Sequence, residues 1–190
     1  MKSQLTENKL FERIDYTASP LARGEYENCT FKNCTFFKTD LSNFIFRECL
    51  FDGCDLSMAA ITNTTLNDIR FVNCKLMGIQ FQESNIFLLS FRFENCILKF
   101  SVFYKLRIKK TSFINCNLQE TEFTEADLTG SIFENCDLYR TVFYNTVLEK
   151  ADFRSAFNYS FDPERNRIKK ARFSRSGIAG LLEKYSIEIE

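Results

Sequence analysis

The chain has 190 residues, 25 basic and 25 acidic, with 45% apolar composition and no histidine. Without histidine, Ser-His and Cys-His nucleophile pairs and histidine-based metal sites are excluded. Six glycines, none in a GxGxxG or Walker spacing, exclude the common phosphate-cradling loops. The expectation is a non-enzyme without metal or cofactor, and the zero net charge gives no reason to expect direct nucleic-acid binding.

The first 20 residues carry Lys2, Glu7, Lys9, Glu12, Arg13 and Asp15 around no apolar core, so no secretory signal is read there. No stretch is long and apolar enough for a transmembrane helix, and a cytoplasmic protein is expected. Residues 1–10 are read as an N-terminal segment, 11–175 as one repetitive domain, and 176–190 as a C-terminal cap.

From Tyr26 every fifth residue is apolar: Phe31, Phe36, Leu41, Phe46, Phe51, Leu56, Ile61, Leu66, Phe71, Leu76, Phe81, Ile86 and Phe91. A second run starts at Phe93 and continues through Leu98, Phe103, Ile108 and Phe113 to Phe153. A period of five fits neither a helix nor a single strand and describes a coil of the whole chain. Two residues before most apolar centres the side chain is small, as at Cys29, Cys34, Thr39, Ala59, Ser101, Thr121 and Ala126.

This alternation, clearest in Ala126-Asp127-Leu128, Cys136-Asp137-Leu138 and Ala151-Asp152-Phe153, resembles the pentapeptide-repeat family and its A(D/N)LXX motif. The resemblance implies an all-β fold, a right-handed quadrilateral parallel β-helix with four pentapeptides per coil. Residues 20 apart then lie above one another. The expected ladders are Phe31, Phe51, Phe71 and Phe91, then Phe103, Phe123 and Phe143, then Phe113, Phe133, Phe153 and Phe173.

All eight cysteines fall on small inward positions, six of them after an asparagine. Cys34, Cys54 and Cys74 share one side, as do Cys96, Cys116 and Cys136. Side chains in such a ladder point the same way, which disfavours the disulfide dihedral, and buried reduced thiols are expected.

The frame slips by two residues between Phe91 and Phe93, which requires a bulge or kink. Phe87 and Leu88 become candidate exposed apolar residues, with a junction packed on itself as the alternative. Further on, Tyr159 to Arg165 reads as a turn in the last full coil. Behind Ser174 or Ser176, the spacing of Ile178, Leu181, Leu182 and Tyr185 predicts a short amphipathic helix, and Ser186 to Glu190 alternates as a strand. A surplus apolar face there, with Ile187 and Ile189, points, with the family resemblance, to a tail-to-tail homodimer, a plain monomeric cap being the alternative.

Surface charge is uneven. Glu120, Glu122, Glu125, Asp127, Glu134 and Asp137 form the heart of an acidic stretch, flanked by Lys99 to Lys110 before and Arg165 to Arg175 after. A solvated surface with local compensation is one reading, and a partner-binding acidic face is the other.

Further likeness narrows the function. Cys54-Asp55-Leu56-Ser57-Met58-Ala59 is similar to the Qnr quinolone-resistance members. Leu98-Lys99-Phe100 with Phe103, Leu106 to Lys110 and Asp162 to Ile168 are similar to the microcin-immunity members. This implies binding to DNA gyrase or topoisomerase IV and relief of quinolones or peptide poisons. The alternative is a repeat scaffold holding an unrelated protein by a flat face or by the kink at Phe87.

Overall fold

The computed structural model describes residues 4–188. Among them eleven short strands occur in chain order: Gln4–Glu7 (β1), Leu10–Glu12 (β2), Gly24–Glu27 (β3), Thr30–Lys32 (β4), Ile45–Arg47 (β5), Leu50–Asp52 (β6), Thr65–Asn67 (β7), Ile69–Val72 (β8), Phe91–Glu94 (β9), Ser112–Ile114 (β10) and Ile132–Glu134 (β11). All pair in parallel, in a four-stranded sheet β1-β3-β5-β7 and a seven-stranded sheet β2-β4-β6-β8-β9-β10-β11. Isolated parallel bridges such as Val102↔Glu122↔Val142 and Asn117↔Asp137↔Phe157 carry the other two sides. The result is a four-sided parallel β-helix in which the chain climbs one rung every 20 residues.

Backbone geometry explains the period. Two residues after most apolar centres the chain turns a corner in the left-handed conformation, as at Asn28 (φ 49°), Asn33 (φ 52°), Asn73 (φ 54°) and Asn115 (φ 52°). Asparagine tolerates this region better than most residues. Its amide also bonds the rung below, from Asn95 to Asn73 (3.3 Å), Asn115 to Asn95 (3.1 Å) and Asn135 to Asn115 (3.2 Å). The residue after the corner points inward where space is small. Its thiol or hydroxyl donates to a carbonyl of the coil below: Cys74 to Phe51, Thr121 to Leu98, Thr141 to Leu118. Corner and small inward position together account for the Asn-Cys pairs.

The centre of the helix is aromatic. Phe11, Phe31, Phe51, Phe71, Phe93, Phe113, Phe133, Phe153 and Phe173 form one unbroken stack, with ring centroids between 4.7 Å (Phe133 to Phe153) and 5.4 Å (Phe153 to Phe173). A second stack runs Phe81, Phe103, Phe123, Phe143 and meets the first edge-on, as at Phe113 and Phe123 (5.9 Å, 78°). Both arrangements suit the ring quadrupole, and the 4.8 Å strand spacing sets the stacking distance.

The expected ladder through Phe91 is corrected here: Phe71 stacks on Phe93, and Phe91 pairs with Ile69 on a small inward column. The slip therefore lies before Phe91. Ile86, apolar and in frame, is 63% exposed because the backbone leaves the coil there, and Leu89 packs partly against the core. Cys34, Cys54, Cys74, Cys96, Cys116 and Cys136 consequently form one column that passes the slip, with Cys96 donating to Phe71 as Cys74 does to Phe51. All eight thiols are buried and free. Burial pushes Cys49 up to about 12, and the bond shared with Cys116, together with burial, does the same for Cys96.

The coil extends further at one end and is closed by the expected short helix at the other. β1 already pairs with β3, so the solenoid begins before residue 11. At the far end Tyr159 and Phe161 turn inward, and Asp162 caps the single turn Pro163–Arg165. The C-terminal helix is one short α-turn, Ala179–Leu182 (α1), between 3-10 turns at Ser176–Ile178 and Glu183–Tyr185. Ser186 to Glu188 form no strand, and Ile189 lies outside the described residues. No helix among the described residues is long and apolar enough to cross a membrane.

Phe113 stacks on both neighbours and is fully buried. Phe113→Ala is expected to cost about 3–5 kcal/mol in urea unfolding. Ile86→Ser, equivalent by the five-residue frame, is expected to change stability by less than about 0.5 kcal/mol.

Candidate partner-binding surfaces

With the core filled by stacked rings, function falls to the outward positions, and three surfaces contain the residues singled out from the sequence. The acidic residues do not form one face. Glu122 lies between Val102 and Val142 on one ladder, Asp127 between Arg107 and Val147 on the next, Glu134 beside Ile114 on the third, and Asp137 between Asn117 and Phe157 on the fourth. Glu120 and Glu125 sit at corners, with φ of 56° and 58°. The span from residue 120 to residue 137 is shorter than one 20-residue coil, so these side chains ring the helix as a collar and cannot stack on one another.

Within the collar the carboxylates differ. Asp127 is braced by Thr129 Oγ1 (2.6 Å) and by Lys109 (3.1 Å); burial opposes ionisation, but these partners hold the carboxyl below its usual range. Asp137 accepts from Gln119, Tyr139 N and Asn158. Glu125 faces Lys105 at 3.5 Å, an exposed pair that water screens. Glu120, Glu122 and Glu134 make no ion pair among the described residues. They are open to an approaching partner.

The second surface is the slip. Phe87 and Leu88 are 76% and 74% exposed, so the junction does not pack on itself. The segment is braced from below, where Asn67 donates to the Leu88 carbonyl (3.1 Å) and Asp68 N–H to Ser90 Oγ (2.8 Å), and within itself, where Phe87 N–H donates to Asn85 Oδ1 (3.1 Å). Beside it, Arg70 lies directly beneath Arg92 in the β8-β9 register. Sequence reasoning missed this pair because the two arginines are 22 residues apart. The 22-residue interval between Asn73-Cys74 and Asn95-Cys96, against 20 elsewhere, was the available signal.

The third surface is the cap. Leu181 packs on the core, whereas Ile178, Tyr185 and Ile187 stay exposed and Leu182 is half-buried. Ser174 Oγ accepts the Gly177 N–H (3.0 Å). At Gly177 and Gly180 an added Cβ would collide with the Tyr159 hydroxyl and carbonyl, so only glycine lets the cap lie this close. Lys184 bridges Asp162 (2.6 Å) and Glu164 (2.8 Å), and Tyr185 also bonds Glu164.

The sequence profile described as "Pentapeptide repeat region" matches residues 25–92 and 87–157, well over half of the chain. The chain belongs to the pentapeptide-repeat family. It is 28% identical over 81 residues to the pentapeptide repeat protein MfpA of Mycobacterium tuberculosis, a stretch covering 43% of this chain and 44% of that protein. It is 30% identical over 82 residues to the quinolone resistance pentapeptide repeat protein QnrB96 of Scandinavium goeteborgense, covering 40% and 36%. The chain thus spans under half the length of these curated relatives in the matched stretch. Among solved structures, full-length QnrB1, a plasmid-mediated fluoroquinolone resistance protein, aligns with a TM-score of 0.63 at 18% identity over 97% of this chain and 100% of its own. That likeness is one of fold.

Lys184 holds Asp162 and Glu164 below their usual carboxylate range. Groups with depressed folded-state pKa values stabilise above their unfolded values, and this contribution disappears as pH falls through the folded ones. Cap docking is therefore expected to be complete at neutral pH and to loosen below about pH 4, read as proteolytic release of the tail. Lys184→Gln should flatten that acid dependence, and Gly180→Ala should release the tail at every pH.

Proposed function

We propose that this pentapeptide-repeat protein acts without catalysis, binding DNA gyrase or topoisomerase IV and protecting it from quinolones or peptide poisons. Sequence similarity to a relative named for quinolone resistance carries the reading. Dimensions support it: the Phe11-to-Phe173 stack spans about 40 Å at 4.8 Å per rung. A dimer joined at Ile178, Leu182, Tyr185 and Ile187 would reach about 80 Å, the length of roughly 23 base pairs.

In this reading the acidic collar substitutes for duplex phosphates. A topoisomerase channel that accepts DNA must be electropositive, and opposite charge raises the encounter rate and fixes orientation more than it adds affinity. Glu120, Glu122 and Glu125 lie on one side of the collar and its adjoining corner, unobstructed by the slip, and are assigned as the leading contact. Asp127 and Asp137, already braced by their own partners, hold the collar's shape. Nothing in this mechanism requires a cofactor or direct contact with nucleic acid.

Gyrase supercoiling and quinolone-induced cleavage, titrated with purified protein, test the proposal. Supercoiling should be rescued with fewer cleaved complexes. Glu120→Lys/Glu122→Lys/Glu125→Lys should weaken protection about tenfold or more, equivalent to about 1.4 kcal/mol, with thermal stability unchanged. Absence of any effect on gyrase and on topoisomerase IV would reject the proposal.

A further inference from the structure

The slip exposes three large apolar residues in a row, Ile86, Phe87 and Leu88, on a segment held by hydrogen bonds at both ends. Scattered exposed apolar residues are ordinary on protein surfaces, but a braced cluster of this size marks a contact surface. Around it the charge is one-sided. Arg70, Arg92, Arg107, Lys109 and Lys110 line the two adjoining grooves, against Asp68 and Glu94. Lys109 is spoken for by Asp127, but Arg70, Arg92, Arg107 and Lys110 make no ion pair among the described residues.

The register makes this arrangement costly to leave unpaired. Arg70 and Arg92 are directly opposed on neighbouring strands, where like charges are destabilising. Arg107, Lys109 and Lys110 occupy the rung above the slip and, with Arg92, share a groove with Leu89 and Ser90 at its C-terminal end, next to the apolar tip in the chain. An anionic ligand would relieve the repulsion, and an apolar side chain would cover the tip.

We propose that the slip is a docking site for an acidic protein segment carrying an apolar anchor: Ile86, Phe87 and Leu88 receive the anchor while Arg70, Arg92, Arg107 and Lys110 receive flanking carboxylates. The charge complementarity selects an acidic partner, and the apolar tip selects a protein over a duplex, whose backbone offers no apolar surface to cover it. This site differs from the acidic collar, which lies on later rungs, meets it only where Asp127 faces Arg107 and Lys109, and selects basic surfaces. Its success or failure is therefore separable from that of topoisomerase protection.

Immobilised peptides graded from strongly acidic to strongly basic, each with and without a central Leu-Phe pair, provide the probe. A short DNA duplex and phosphatidylglycerol vesicles serve as the competing anionic ligands. Acidic peptides with the apolar pair should bind best, and added salt should weaken them. Phe87→Ser/Leu88→Ser and, separately, Arg92→Glu/Arg107→Glu should each reduce that binding about tenfold or more at unchanged melting temperature, since all four side chains are exposed. Binding that ignores the apolar pair and survives Phe87→Ser/Leu88→Ser would overturn the proposal. So would tighter binding of the duplex or the vesicles than of any peptide.

Discussion

Everything in this molecule depends on stacking one rung on the next in strict register. Backbone hydrogen bonds hold adjacent coils at about 4.8 Å, and that distance is also where aromatic rings stack. A phenylalanine at the same place in nine successive rungs therefore satisfies backbone and side-chain packing with one repeat. Each coil contacts only its neighbours, so stability accumulates along the axis and an error in one rung is felt by the two beside it.

The two extra residues near Ile86 show how strong that constraint is. A two-residue slip carried through the core would have moved Phe93 and every later phenylalanine off the central column to a corner position. Instead the surplus chain leaves the coil as an outward segment, the four-stranded sheet ends at β7, and Phe71 meets Phe93 as though nothing intervened. The aromatic and thiol columns pass the slip intact. Disruption is confined to the surface, where it exposes Phe87 and Leu88.

Much of this was legible in the sequence because the core is periodic. The five-residue spacing, the small inward position and the ladders from Phe103 and Phe113 onward all follow from counting. What counting alone misjudged was phase. Phe91 and Phe93 are equally apolar and both fit a five-residue frame, so hydrophobicity could not choose between them; only the Asn-Cys interval of 22 residues does. The acidic stretch was misjudged for a related reason. A run of charges read along the chain looks like a patch, but a chain that turns four corners in 20 residues distributes that run around its perimeter. The cap escaped for a different cause: Gly177 and Gly180 matter through their contact with Tyr159, a tertiary approach that no local pattern encodes.

Because inward positions are committed to the stack, the outward ones carry the individuality of the chain, under a rule that the lattice imposes. Charges on different sides of one coil point in different directions, and apart from close neighbours such as Arg154 and Asp152 the pairs that meet lie about one coil apart. A coil-long acidic run thus has no repulsion between stacked rungs, and basic or neutral residues such as Lys105, Arg107 and Val142 lie above and below it. The collar is electrostatically inexpensive in the free protein. Arg70 beneath Arg92 is the opposite case, for two like charges at one strand spacing repel by about 1 kcal/mol even in water. A lattice that can disperse its charges so readily but keeps these two aligned, close to an apolar tip, leaves a surface whose repulsion an anionic partner would relieve beyond what water and salt already screen.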